Sequence, residues 1–390
     1  MHTDPPAEPV SPLPNALVLS SVLTLIAAAR LHAKTERSIA NAVLGLLHSS
    51  RLSVTAIGTA WAQVMGRGAK HGVKQVDRLM SNKSFDLHSC FRAHVRAVLG
   101  SRRSIITALD WTEFAPDDQA TICLYLITNH GRATPLVWKT VELTEMRGRR
   151  NSFEDDVLHL FKESLPKEGA PKVVVLADRG FSDVALYAEL EEELGFDFVI
   201  RFRRNVLVQY GERRLRSDQW LAEAGGYSVQ LRGASLTSRF RKVVNFVALH
   251  DSNMRDPWFL ASSLPGSVKA IAKLYGRRFT IEETFRDQKD MRFGWALHDI
   301  QVTQPVRRDR LLFLAALAQI LLTLLGAAGE QMGLDAGLRV NTTKRRTHSL
   351  PRQGREYIRG VVARVAHQLR EQFIVLLNSL PDLAARYAII

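Results

Sequence analysis

The chain has 390 residues, 46% hydrophobic and 24% charged, which suits a globular protein with room for two or three domains. Fifty-three Lys and Arg against thirty-nine Asp and Glu give a formal charge of +14, which favours a polyanionic partner, nucleic acid before an anionic membrane surface. Its only cysteines, Cys90 and Cys123, lie in no metal-ligand spacing, which excludes a zinc ribbon, gives no support to a disulfide scaffold and fits a reducing cytoplasm.

Five prolines within residues 2–15 predict a disordered leader over 1–15. The run "ALVLSSVLTLIAAA" (16–29) imitates a signal peptide, but Asp4 and Glu8 before it, with no Lys or Arg, give the wrong charge for secretion. From 16 to 98 apolar residues recur three and four apart, the pattern of a helical module. In "KHGVKQVDRLMSN" the cations Lys70, Lys74 and Arg78 fall four apart, a basic helix edge suited to DNA contact. A helical cap with a solvated charged face fits the same residues equally well.

The pattern changes near residue 104. "SIITALDW" is a β-branched run closing on Asp110, and "TICLYLIT" and "TPLVWKTVEL" read as two more strands with "NHGR" as a turn. "NSFEDDVLHLFKESL" opens with Asn151 and has Glu154 three later, predicting a capped amphipathic helix. "KVVVLAD" is too uniformly apolar to face water and ends in Asp178; a helix ("SDVALYAELEEELG") and a strand ("DFVIRF") follow. Strands followed by alternating helix and strand indicate an α/β fold, a mixed sheet with helices on its faces. Residues 203–265 read as a β-rich insertion. The segment 266–332 returns to helix and contains "LLFLAALAQILLTLLGAA" (311–328), marginal in length for a membrane span and better read as a buried core helix. The remainder, 333–390, is a basic hinge followed by amphipathic helices.

Asp110 and Asp178 each close an apolar strand, and ligands of open sheets sit at that edge. Two carboxylates buried side by side cost several kcal/mol without a cation, so a divalent metal is the natural compensation. Oxygen ligands suit Mg²⁺, and a third carboxylate would complete the set. "LYGRRFTIEETFRDQKD" (274–290) supplies Glu282. On a continuous helix Tyr275, Arg278, Glu282 and Lys289 share a stripe roughly 60° wide, and Arg286 falls on the same face. A solvated face with Glu282 paired to Arg286 is the plainer reading of this segment alone.

"YGRRFTIEETFRDQK" carries a Y-x2-R-x3-E-x6-K signature and resembles the IS-four family of bacterial insertion-sequence transposases, most closely its cut-and-paste members. The resemblance extends over "KHGVKQVDRLMSN", "ALDWTEF", "LADRGF" and "DPWFLASSLP" in the same order. It implies an RNase H-like catalytic core in two parts, 99–202 and 266–332, split by the β-rich insertion, with a helical DNA-binding domain at 16–98. It implies a catalytic triad of Asp110, Asp178 and Glu282 holding Mg²⁺ or Mn²⁺, two ions, with Tyr275, Arg278, Lys289 and Arg286 on DNA phosphates. Trp258, in the matching "PWFLAS" context, would stack on a flipped base; a core Trp is the competing reading. The implied partners are double-stranded DNA (transposon inverted-repeat ends and target) and a second copy of the chain in a dimer on DNA, in a bacterial cytoplasm at the nucleoid, with no membrane. The rival readings are a transposase-derived DNA-binding protein that no longer cuts and an RNase H-like nuclease without strand transfer.

Overall fold

The computed structural model describes residues 10–130, 132–236, 241–243, 245–282, 300–339 and 346–380. Among the described residues five α-helices precede the first strand: α1 (Asn15–Ile26), α2 (Ala33–Leu47), α3 (Val54–Val64), α4 (Ala69–Ser81) and α5 (Leu87–Leu99). Side chains cap three of them, His32 on α2, Ser53 on α3 and Asp86 on α5. Helices α3 and α4 touch backbone to backbone: a Cβ on Gly72 would stand 2.1 Å from the Gly58 carbonyl oxygen. The leader expected over 1–15 is folded from residue 10. Val10 exchanges backbone hydrogen bonds with Val361, and Leu13 is buried, so pairing with the C-terminal region overrides the proline content.

Strands β1 (Ser104–Phe114), β2 (Gln119–Leu126) and β3 (Thr134–Glu142) form an antiparallel meander. After the short turn α6 (Leu143–Met146), helix α7 (Arg150–Ser164) returns the chain across the sheet. Strand β4 (Lys172–Ala177) then pairs parallel to β1, and β5 (Asp197–Arg201) parallel to β4, with α8 (Val184–Ala188) between them. β2 is buried along its whole length and β4 nearly so, as their continuous apolar runs require of a sheet covered on both faces.

The β-rich stretch does not stand apart. A small four-stranded sheet comprises β6 (Leu207–Tyr210), β7 (Arg213–Arg216), β9 (Ser235–Leu236) and β10 (Arg241–Lys242), with α9 (Ser217–Glu223) following β7. The other strands, β8 (Ser228–Arg232), β11 (Asn245–Leu249) and β12 (Trp258–Ser262), add antiparallel to the free edge of β5. One eight-stranded mixed sheet results, in the order β3-β2-β1-β4-β5-β12-β11-β8.

Helix α10 (Val268–Gly276) leads to the second acidic segment. Helix α11 (Pro305–Gln331) contains the long apolar run; it is long and apolar enough to cross a membrane, but 89% of its most apolar window is buried inside the fold. It packs on β3, on α2 and on two later helices, α12 (Leu350–Ile358) and α13 (Ala363–Asn378). Close packing on α12 depends on missing side chains, since a Cβ on Gly326 would lie 2.0 Å from the Leu350 oxygen and one on Gly354 2.0 Å from the Leu322 oxygen.

The start of α11, "RRDR", ties three layers together. Arg307 donates to Asp77 and Ser81 of α4, both at 2.6 Å. Arg308, completely buried, donates to Gln119 at 2.7 Å and pairs with Asp117. Asp309 accepts from the backbone N–H of Thr140 at 3.0 Å and from its hydroxyl at 2.5 Å. A buried cation is tolerated when a charge and a polar group partner it, and here Asp117 comes from the β1–β2 connection and Gln119 from the first residue of β2.

Candidate active site

Register places the two aspartates. The last β1–β4 pair is Leu109 with Ala177, so Asp110 and Asp178 are the next residues on each strand. Strand β1 does not end at Asp110, as its sequence predicts, but runs on to Phe114 paired with β2 alone. Asp178 leaves the sheet and caps the turn Arg179–Phe181, accepting from the Gly180 N–H at 2.7 Å. The glycine sits close beneath the carboxylate, since a Cβ there would approach the Asp178 Oδ1 to 3.0 Å.

Glu282 arrives from another direction. The expected continuous helix is broken: α10 ends at Gly276, Arg277–Phe279 form a tighter 3₁₀ turn, and helix resumes at Thr280. The single stripe predicted for Tyr275, Arg278 and Glu282 is therefore not kept. Tyr275 is turned inward with only 1% of its surface accessible, while Arg278 and Glu282 face the strand edge. Arg278 donates to Asp110 Oδ2 at 3.4 Å and to Glu282 Oε1 at 3.3 Å. Arg286 and Lys289 lie outside the described residues.

Burial pushes the Asp110 carboxyl up to about 6 against the pull of Arg278, and the negative charges of Asp178 and Glu282 push the same way as burial. Burial alone would lower Arg278, yet Tyr275, Asp110 and Asp178 together hold it above its ordinary value. Burial likewise raises the Tyr275 phenol, with Arg278 and Arg201 opposing. Three carboxylates thus act on one another and share one guanidinium.

Among the described residues no group of three His, Cys, Asp or Glu side chains is gathered closely enough to hold a metal ion. The donor chemistry nonetheless fits a hard divalent cation. All three groups are carboxylates, and the place where their charges meet is spanned by Arg278 through two long hydrogen bonds.

An aromatic group backs this edge. Trp258, half-buried, meets Tyr275 edge-on at 5.0 Å between ring centres and Phe279 at 5.8 Å. A second support comes from α7, where Glu154 accepts from the Trp111 indole at 2.8 Å and from Arg150 at 3.1 Å. The predicted capping box is not made, since Arg149 is the cap residue and Asn151 bonds instead to Asp183. Arg150 lies over Trp111 and Phe181, side chains that follow each aspartate closely. Sequence reasoning missed Arg150; a cation next to an expected helix start carries no local sign of that stacking.

Lys70, Lys74 and Arg78 are all exposed on α4. Lys74 and Arg78 line a groove of about 700 Å³ with Lys34, Thr35 and Ser38 of α2. Lys70 lies outside that lining.

Residues 140–321 match the family described as transposase DDE domain. That supports a DDE transposase. The matched stretch includes Asp178 and Glu282 and begins after Asp110. No curated protein matches the chain. The mixed sheet between helical N- and C-terminal regions is consistent with an RNase H-like transposase core, the fold class expected from the sequence.

Proposed function

We propose that this DDE transposase belongs to the IS-four family and moves its element by cutting and pasting through a hairpin intermediate. The observation that supports it most is the meeting of Asp110 and Asp178, consecutive with the last β1–β4 pair, with Glu282 through Arg278. In this reading Asp110, Asp178 and Glu282 are the catalytic triad and would hold Mg²⁺ or Mn²⁺, two ions, which supply Lewis-acid stabilisation and an activated water.

The protein's own groups do the positioning. Arg278 holds Asp110 and Glu282 in the resting chain and turns to a DNA phosphate when DNA is engaged; its long hydrogen bonds make that exchange easy. Tyr275 fixes Arg278 from behind, and Lys289 and Arg286 add phosphate contacts further along. Trp258 takes a flipped base beside Tyr275. Hydrolysis frees a 3′-hydroxyl at the element end, which attacks the opposite strand to close a hairpin. A second hydrolysis opens it, and the 3′-end joins target DNA. The basic edge of α4 holds the flanking duplex, and two chains pair on DNA in a bacterial cytoplasm, at the nucleoid.

The test is incubation of the purified chain, with Mg²⁺, on a plasmid carrying its reading frame and native flanks. Double-strand breaks bracketing the frame, with hairpin ends, are expected. Normal cutting by Asp110→Asn, Asp178→Asn or Glu282→Gln would end the triad assignment, and no cutting by the wild type would end the functional reading.

A further inference from the structure

Beside Asp178, on the side away from β1, lies a cleft of about 640 Å³ that the triad reading does not use. Arg179, Arg201, Arg203, Arg204 and Arg216 line it, with Asp218 and Asp256 as its acids. Arg216 is neutralised by Asp218 through two hydrogen bonds of 3.0 and 3.1 Å, and Arg201 donates to the Pro257 carbonyl at 3.3 Å. Arg179, Arg203 and Arg204 are exposed and make no ion pair among the described residues. Three such guanidinium groups around one concavity repel one another, and an anion is what would relieve that repulsion.

The cleft is built rather than fortuitous. The turn "RFRRN" leaving β5 is pinned from beneath by the fully buried Ser217, whose hydroxyl donates to the Arg204 carbonyl at 2.6 Å and lies 3.2 Å from the Arg203 carbonyl. The Asp218 N–H adds a bond to the Arg204 carbonyl at 3.1 Å. Two cations are thereby presented from a fixed backbone. The opposite wall is Asp256 and Pro257, directly before Trp258, and Arg179 directly follows Asp178. Arg201 also bears on Tyr275. The cleft therefore adjoins the candidate active site at both Asp178 and the Trp258–Tyr275 pair.

The geometry points to this cleft as a separate binding site for the sugar-phosphate backbone of DNA next to the cut, with Arg179, Arg203 and Arg204 as its phosphate ligands. The inference rests on the reading of the protein as a DNA-cutting enzyme. Arginine suits the task because its planar fork bonds two phosphate oxygens at once.

The experiment measures binding of a labelled duplex of arbitrary sequence by anisotropy over a series of salt concentrations, in the full chain. Arg203→Ala/Arg204→Ala should lower the slope of log affinity against log salt by about two, close to 0.9 for each phosphate no longer neutralised. Affinity at low salt should fall about tenfold or more. Lys167→Ala/Lys172→Ala, removing the same charge at the opposite end of β4, should leave the slope within error. An equal fall in both pairs would mean that only the overall field was felt and would overturn the site. An unchanged slope in the arginine pair would overturn it too, while wild-type binding and cutting kept the enzyme reading intact. Absence of DNA binding by the wild type would strike that reading first. Inorganic phosphate as competitor separates the sources, since displacement of DNA at millimolar phosphate would assign the cleft to the free ion.

Discussion

Two places bind a helix to the sheet through buried charge, and they differ in how tightly the charges are held. At the start of α11, Arg308 is wholly enclosed, with Asp117 and Gln119 on its donors and the Phe114 ring 4.0 Å from its guanidinium carbon. At the strand edge, Arg278 reaches Asp110 and Glu282 only at 3.4 and 3.3 Å, and Glu282 keeps 54% of its side chain accessible. The first arrangement leaves no room for a substitute cation. In the second, the carboxylates have one foot in solvent and the guanidinium can be exchanged for another positive group. The same two ingredients make a closed fastener in one place and a loosely held, partly exposed edge in the other.

The largest test of that contrast is loss of activity without loss of fold. Asp178→Asn keeps the acceptor for the Gly180 N–H and removes the charge. Plasmid cleavage should drop about 10⁴-fold or more, the scale seen when a group needed only in the transition state is removed, with the melting temperature close to that of the parent. A folded variant that still cuts would show that the strand edge is only another fastener. Next in size is Arg308→Met, which leaves Asp117 buried without its cation. Urea denaturation should show a loss of about 3–5 kcal/mol. A loss under about 1 kcal/mol, the value of an exposed pair, would erase the distinction from the other side.

Much of the sheet was legible because strand residues announce burial through β-branched, uniformly apolar runs such as "KVVVLA". The aspartates stood out as charges set directly after such runs. Their adjacency was not legible in the same way, since β1 and β4 become neighbours through a crossover that no local pattern encodes. Nor did any residue show that β8, β11 and β12 would extend the main sheet. That outcome depends on β5 presenting an open edge, a property of the folded sheet. The 3₁₀ turn at Arg277–Phe279 escaped detection because its residues are compatible with a regular helix, and the inward seat of Tyr275 follows from that turn and from Trp258. Nothing in the sequence marks Arg308 for burial; burial of a cation is decided by partners nearly two hundred residues earlier.

Arg278→Met divides stability from activity at the strand edge. Its hydrogen bonds are long and one partner is largely exposed, so unfolding free energy should change by only about 1 kcal/mol. Cleavage should fall about 10²-fold, as when one preorganised electrostatic interaction is withdrawn. Parallel urea titration and plasmid cleavage check the pair of values. A stability loss matching that of Arg308→Met would place Arg278 among the fasteners.

The smallest effect is one of pH, and above pH 6.5 it belongs mainly to the fastener, because Asp110 at the strand edge is raised only to about 6. Burial raises the Asp309 carboxyl to about 7, against hydrogen bonds from Thr140 and the charges of Arg308 and Lys139. A carboxyl with its folded value raised binds a proton more readily when folded, so its contribution is complete below the ordinary value of 3.8 and is lost as pH rises through 7. The buried imidazoles work in the other direction. Burial lowers His94 to about 4 and His130 to about 3, so their contribution is complete above 6.5 and is lost as pH falls below it. Above pH 6.5 the aspartate therefore acts without opposition from them. Stability should decline by about 1 kcal/mol between pH 6.5 and 8. Asp309→Asn retains an oxygen for Thr140 and cannot ionise, so urea midpoints measured across that interval should be level. A variant that declines as steeply as the parent would show that Asp309 is already charged in the fold at pH 6.5 and that burial does not hold its proton.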